Sequence, residues 1–166
     1  KEFVMFLQPK YDIKTKKVCG AEALSRWITP DGNITPPVSF IPLAEENGFI
    51  REIDYYIWEV ACQTIRDWLD RGKTPIPISV NVSRVHLENF NFINKLNELI
   101  EKYDLPKKLL EIEITETIQN NNTDKSILEV KNNGYTLLMD DFGSGYSSLK
   151  MINDTPFDGR TVGLQV

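Results

Sequence analysis

Apolar and polar positions repeat with two different periods along this chain, which predicts strands and helices in turn. Residues 3–13 and 18–27 are rich in β-forming side chains and flank a lysine-rich turn, which indicates an antiparallel hairpin. Residues 50–69 carry apolar side chains every three or four positions, as in a helix with one buried face. Trp58 and Trp68 fit core positions on that helix.

Further elements alternate in the remainder of the chain. The sequence predicts helices over residues 39–46 with Ser39 as N-cap, 84–103, 123–132 and 146–152, and strands over 75–83, 109–115 and 135–139. Alternating strands and helices favour βαβ units around a parallel sheet, either open or closed into a barrel.

Composition narrows the class of protein. The chain has 166 residues, 41% hydrophobic and 26% charged, which suits a single globular domain. A net charge of −5 argues against DNA or RNA as a partner.

The two cysteines, Cys19 and Cys62, lie far apart in apolar stretches, so we expect neither a disulfide framework nor a zinc site. We also expect a reducing compartment. No apolar run approaches the ~20 residues of a membrane span, and the start lacks Met and a signal peptide, so we expect a piece of a longer protein.

Polar side chains interrupt the predicted strands. Glu22, Asn81 and Glu113 lie between apolar neighbours, and Asp140 and Asp141 end an apolar run. Burying an ionised carboxylate is costly unless it is paired or binds a cation. Oxygen ligands without nearby His or Cys favour Mg²⁺, Mn²⁺ or Ca²⁺.

In parallel α/β folds the catalytic and binding residues lie at the carboxyl ends of the strands. Asn81, Glu113 and Asp140 are expected there, and the glycine-rich turn after Asp141 lets both aspartates face one site. Adjacent aspartates suit two metal ions that clamp the attacking and leaving oxygens of a phosphoester.

Simpler interpretations stand beside this one. Each carboxylate alone is typical of a solvated face or a salt bridge, the two aspartates could cap the helix near residue 146, and Glu111 or Glu113 could be exposed if their strand is an edge. His86 is expected to be a surface or capping residue without a catalytic role. A barrel glycosidase that uses Glu113 and Asp140 is also open.

Several short motifs occur together along the chain. They are Gln8-Pro9 and residues 21–27 (AEALSRW), 40–45 (FIPLAE), 79–83 (SVNVS), 113–116 (EITE) and 140–149 (DDFGSGYSSL). Together they resemble the bacterial EAL family, whose members hydrolyse cyclic di-GMP. The resemblance implies an α/β fold, a modified (β/α)8 TIM-like barrel with an antiparallel first strand.

The resemblance also implies roles for individual residues. The implied metal ligands are Glu22, Asn81, Glu113, Asp140 and Asp141, of which Glu22, Asp140 and Asp141 are catalytic and Asp141 positions the attacking water. The implied substrate contacts are Gln8, Leu24, Arg26 and Asp54, with Arg26 on the phosphate. The implied loop that couples metal binding to dimer contacts contains Gly143, Ser144, Gly145 and Tyr146, and is held by Glu116.

The family pattern is incomplete at the C-terminal end. A (β/α)8 barrel needs ~250 residues, and Val166 falls just beyond the fifth strand and its helix. The family's next lysine would fall near Thr161, and its next glutamate ligand has no counterpart. We therefore expect a partial EAL domain over residues 1–158, a divergent tail over 159–166 and a barrel truncated after about five strands.

The resemblance implies metal-dependent hydrolysis of cyclic di-GMP to linear pGpG in bacterial signalling. The expected cofactor is Mg²⁺ or Mn²⁺ in a two-metal site, and the expected partners are cyclic di-GMP, a second copy of the chain and sensor or regulatory domains of a parent protein. We expect a cytoplasmic location, whether or not the parent protein is anchored in a membrane. The alternatives are a catalytically inactive cyclic di-GMP receptor and a truncated remnant.

Overall fold

A mixed β-sheet with helices along one face forms the frame of the molecule. The computed structural model describes residues 2–87, 91–115, 121–140 and 159–160. Its strands are β1 (Phe3–Tyr11), β2 (Val18–Ile28), β3 (Ile34–Thr35), β4 (Ile78–Asn81), β5 (Leu110–Thr115), β6 (Thr136–Asp140) and β7 (Gly159–Arg160). Its helices are α1 (Pro37–Glu46), α2 (Ile50–Asp70), α3 (Arg84–Leu87), α4 (Asn91–Lys102) and α5 (Asn121–Asn132), with a 3-10 turn at Lys107–Leu109.

The order of strands in the sheet follows their order in the chain. The sequence of neighbours is β1-β2-β4-β5-β6-β7, and the short β3 pairs beside β2. Strand β1 is antiparallel to β2, whereas β2-β4, β4-β5, β5-β6 and β6-β7 are parallel. The predicted hairpin and the predicted parallel sheet with an antiparallel first strand are both confirmed.

The two faces of the sheet differ in chemistry because side chains alternate along each strand. One face is apolar and is fully buried, with Ala21, Ala23, Ile78, Val80, Leu110, Ile112, Ile114, Leu137 and Met139. The register places Glu22, Ser79, Asn81, Glu111 and Glu113 on the other face. The core therefore lies on the apolar face, and the polar face carries the candidate chemistry.

Helix α2 supplies much of the core behind the sheet. The apolar stripe predicted from the sequence is buried, and Trp58 is completely inaccessible to solvent. Trp68 is partly buried and packs at the edge of the same core. The described helices, α2 included, are too short or too polar to cross a membrane.

Helix α1 begins earlier than the sequence predicts. Ser39 is exposed within the first turn instead of capping it, and the helix starts at Pro37 with Pro36 as N-cap and no side-chain cap bond. Proline suits the first position of a helix because a backbone N–H at that position would have no acceptor within the helix, so its absence from proline costs no hydrogen bond. The prediction that Ser39 is the N-cap is wrong for this reason.

Two other helix predictions involve residues that the structure does not describe. The segment predicted as one helix over 84–103 contains α3 and α4, with residues 88–90 between them outside the described ranges. The helix predicted over 146–152 also lies outside them.

The two cysteines differ in their environment and form no disulfide. Cys19 is exposed, although its sequence neighbours suggested an apolar setting, and Cys62 is completely buried in the core. Burial, with a smaller contribution from the Glu59 carboxylate, raises the pKa of the Cys62 thiol to about 12. The thiolate of Cys62 is therefore scarce at neutral pH.

We expect one fast-reacting thiol in the native protein. At pH 8 a thiol with this pKa is ionised in about one molecule in 10,000, so Cys62 reacts only when the core opens. Titration with a disulfide reagent should give one rapid equivalent in native protein and two in urea. The Cys19→Ser variant should remove the rapid equivalent, and two rapid equivalents in the native protein would contradict this assignment.

Candidate active site on the polar face of the sheet

Two carboxylates and an amide meet on neighbouring strands of the polar face. Glu22 of β2 lies opposite Ser79 of β4, and Asn81, two residues further along β4, lies opposite Glu113 of β5. The Asn81 Nδ2 group donates a hydrogen bond of 3.0 Å to Glu22 Oε1. The structure thus brings together three of the residues predicted to bind metal, with Asn81 at the carboxyl end of β4 and Glu22 in the middle of β2.

Glu113 has an unusual environment for a carboxylate. It is completely buried, and neither of its oxygens has a hydrogen-bond partner in the described part of the chain. Strand β5 lies between β4 and β6, so the alternative of an exposed edge carboxylate does not apply. A buried carboxylate without a partner is costly unless a cation binds it, so the donor set fits a divalent metal ion.

Asp140 is placed near these residues by its backbone. It is the last residue of β6, opposite Thr115 and two residues beyond Leu138, which lies opposite Glu113. The side chain of Asp140 lies outside the described part of the structure, and so do the predicted site residues Glu116, Asp141, Gly143, Ser144, Gly145 and Tyr146. Among the described side chains, no three His, Cys, Asp or Glu residues form a metal-binding group.

The first two strands carry the predicted substrate contacts beside this cluster. Gln8 lies opposite Glu22, and Leu24 and Arg26 follow on the same face of β2. The guanidinium carbon of Arg26 lies 5.7 Å from the centre of the Phe6 ring, and its Nη1 donates a hydrogen bond of 2.8 Å to the Ser25 carbonyl. The cation–π contact and the carbonyl together orient the Arg26 guanidinium, four residues beyond Glu22 on the same face of β2.

A salt bridge that the sequence analysis missed lies on the same face. Lys10 Nζ is 2.7 Å from Glu111 Oε2, and each side chain is 16% exposed. A Cβ at Gly20 would lie 3.1 Å from Lys10 Cε and 3.2 Å from the Pro77 carbonyl oxygen, so glycine leaves room for the lysine to pass. The two-residue period, which puts Lys10 in line with Gln8 and Glu111 in line with Glu113, is the signal that could have suggested this pair.

The position of His86 corrects the prediction made from the sequence. His86 is 2% exposed instead of lying on the surface, and its Nε2 is 3.1 Å from Asp54 Oδ2. Asp54, predicted to contact substrate, is also buried and accepts a hydrogen bond of 3.3 Å from the Ser83 backbone N–H. Short polar helices after a strand look exposed in sequence, and packing against α2, α4 and α5 buries this one.

The fold and the site define a class: a parallel α/β sheet with an antiparallel first strand, and with two carboxylates and an amide on its polar face. The family model for the EAL domain matches residues 1–162, so the chain belongs to the EAL family. The predicted family and fold class are confirmed.

Individual relatives agree with this family. The chain is 40% identical over 157 residues to the signaling protein YkoW of Bacillus subtilis, covering 93% of the chain and 20% of YkoW. It is 34% identical over 154 residues to the probable cyclic di-GMP phosphodiesterase PdeI of Escherichia coli, covering 90% of the chain and 20% of PdeI. The chain thus spans about a fifth of the length of these two curated relatives.

A solved structure gives the same result for the fold. The cyclic di-GMP complex of the phosphodiesterase PaMucR superposes with a TM-score of 0.87 at 29% identity. The superposition covers 96% of the chain and 66% of the PaMucR chain. The fold class predicted from the sequence, an EAL-type barrel sheet, therefore rests on structural similarity as well as on the family match.

Proposed function

We propose that this chain carries the catalytic face of a cyclic di-GMP phosphodiesterase that yields linear pGpG. The observation that carries the proposal is Glu113, a completely buried carboxylate without a hydrogen-bond partner in the described residues, beside the linked pair of Glu22 and Asn81. The family match and the names of PdeI and PaMucR support the same substrate.

The proposed cofactor is Mg²⁺ or Mn²⁺. Glu22, Asn81 and Glu113 would hold it, and the backbone position of Asp140 suits a further ligand. Such a cation, when bound, offsets the charge of the phosphodiester and lowers the pKa of water. Asp141, assigned by the family resemblance to a second metal, remains a prediction.

The residues of β1 and β2 would hold the substrate. Arg26, oriented by Phe6 and the Ser25 carbonyl, would bind a phosphate oxygen, and Gln8 and Leu24 line the same face. In the proposed reaction water adds to phosphorus, one bond from phosphorus to a ribose 3′ oxygen breaks, and that oxygen leaves with a proton. The net charge of −5 makes these local positive groups necessary for a dianionic substrate.

The remaining predictions concern the setting of the protein. The family resemblance predicts a location in the bacterial cytoplasm, a homodimer, and sensor or regulatory domains in a parent protein. These three stay predictions. The relatives' greater length agrees with additional domains in those proteins.

The proposal is tested by incubating the chain with cyclic di-GMP and separating the products by chromatography. We expect pGpG with Mg²⁺ or Mn²⁺, and a loss of at least about 100-fold in EDTA. Arg26→Ala should raise KM by about 10- to 100-fold because it removes a charge-assisted hydrogen bond. Arg71→Ala is the matched control, since Arg71 pairs with Asp67 on the exposed end of α2.

Other outcomes would redirect the assignment. Tight binding of cyclic di-GMP without pGpG would favour the receptor function. Hydrolysis that continues in EDTA would exclude the metal mechanism, and an equal effect of the two arginine substitutions would remove Arg26 from the site.

A further inference from the structure

One turn of α2 forms hydrogen bonds with residues 81–83, at the end of β4. Asp54 and Trp58 are four residues apart and therefore project from the same side of the helix. The Asp54 carboxylate accepts the Ser83 N–H at 3.3 Å, and the Trp58 Nε1 donates to the Asn81 carbonyl at 3.0 Å. Both ends of the segment 81–83 are thus attached to α2.

His86 contacts the Asp54 carboxylate that binds this segment. Its Nε2 lies 3.1 Å from Asp54 Oδ2, and its ring centre lies 5.1, 4.9 and 6.2 Å from those of Tyr55, Trp58 and Phe92. The approach of Nε2 to Asp54 Oδ2 is a close contact and not a hydrogen bond, since Nε2 has no hydrogen-bond partner in the described residues. Because the ring is enclosed by aromatic side chains, His86 limits the positions that the Asp54 carboxylate can adopt.

The same segment is held from the opposite side by the sheet. The Val82 N–H donates to the Glu113 carbonyl at 3.0 Å, and the Asn81 side chain donates to Glu22 at 3.0 Å. The direction of the Asn81 amide therefore depends on the backbone of residues 81–83, which is held by the hydrogen bonds from Trp58 and to Asp54 of α2.

We propose that Asp54 and His86 are positioning residues that set the Asn81 amide through the backbone of Ser83. The route from His86 to Asp54, Ser83 and Asn81 consists of contacts within 3.3 Å and the two peptide units between Asn81 and Ser83. The pair acts in the protein without metal or nucleotide. Its consequence for metal affinity rests on the proposed function, in which Asn81 is a ligand.

Backbone hydrogen exchange of the metal-free protein tests the first step. In His86→Leu, which keeps an apolar side chain but removes the contact with Asp54, the Ser83 amide should exchange at least about tenfold faster. His86→Gln, which retains a polar group on a side chain of similar reach, should stay within about threefold of wild type. Asp54→Asn should accelerate exchange, and adding His86→Leu to it should have little further effect.

A control variant separates this local effect from general loss of stability. Tyr135→Phe removes a 3.0 Å hydrogen bond from the buried Tyr135 hydroxyl to Asn97 Oδ1, at the opposite end of the parallel strands. It should leave exchange at Ser83 unchanged. Equal Ser83 exchange in wild type and His86→Leu, or equal acceleration in His86→Leu and Tyr135→Phe, would overturn the proposal.

Calorimetric titration with Mn²⁺ alone tests the second step. We expect His86→Leu to weaken Mn²⁺ binding by about 10- to 100-fold, with recovery in His86→Gln. Absence of Mn²⁺ binding to wild type would refute the proposed metal site while leaving the exchange result intact. Normal Mn²⁺ affinity in a His86→Leu variant with fast Ser83 exchange would overturn the link from Ser83 to Asn81.

Discussion

Glu113→Gln is expected to abolish hydrolysis and to stabilise the metal-free protein. The substitution removes a proposed metal ligand, which should lower activity by at least about 100-fold. It also replaces a completely buried carboxylate, without a partner in the described residues, by a neutral amide of the same shape. The free energy of unfolding in EDTA should rise by about 2 kcal/mol.

Glu111→Gln is the matched control on the same strand and face. Glu111 is paired with Lys10, so its neutralisation leaves a largely buried ammonium without its counter-charge. We expect a loss of about 3 kcal/mol in unfolding free energy. Urea unfolding in EDTA should therefore shift in opposite directions for the two variants, and equal shifts would show that Glu113 has no special environment.

Trp58→Ala is expected to cause the largest loss of stability among the substitutions considered. The side chain is fully buried against the core, and its Nε1 satisfies the Asn81 carbonyl. The cavity and the lost hydrogen bond should together cost about 4 kcal/mol. That is a large fraction of the ~5–15 kcal/mol that stabilises a typical domain.

Trp68→Ala provides the comparison, because Trp68 lies on the same helix but is only partly buried. Urea unfolding followed by circular dichroism should show a much smaller loss for Trp68→Ala. Similar losses for the two variants would contradict the prediction, because they would show that the difference in burial between Trp58 and Trp68 does not determine the loss of stability.

The strand and helix pattern was largely predictable because it depends on local periodicity. The buried face of α2 and the alternation in β2 and β5 are visible in the sequence, and α2 begins at Ile50 as predicted. The polar residues Glu22, Asn81 and Glu113 stood out for the same reason, since they break otherwise apolar strands. The register then brought them to one face.

Contacts between distant segments were not predictable from one sequence. The contact of His86 with Asp54 joins α3 to α2, and the pair of Lys10 and Glu111 joins residues 101 positions apart. The two-residue period can place Lys10 and Glu111 on the polar face, but which residues pair depends on how helices pack on the sheet and how strands are ordered. Ser39 failed as a cap for a more local reason, the preference of Pro37 for the first helical position.

The order of strands in the sheet has a consequence for folding. Each of β4, β5, β6 and β7 pairs with the strand that precedes it in the series, so the sheet can grow in the direction of synthesis. The hairpin of β1 and β2 needs only a short loop closure, whereas the contact of Lys10 with Glu111 must wait for β5. A nascent chain on the ribosome would therefore join Glu22 to Asn81 first and add Glu113 later, completing the polar face from its N-terminal side.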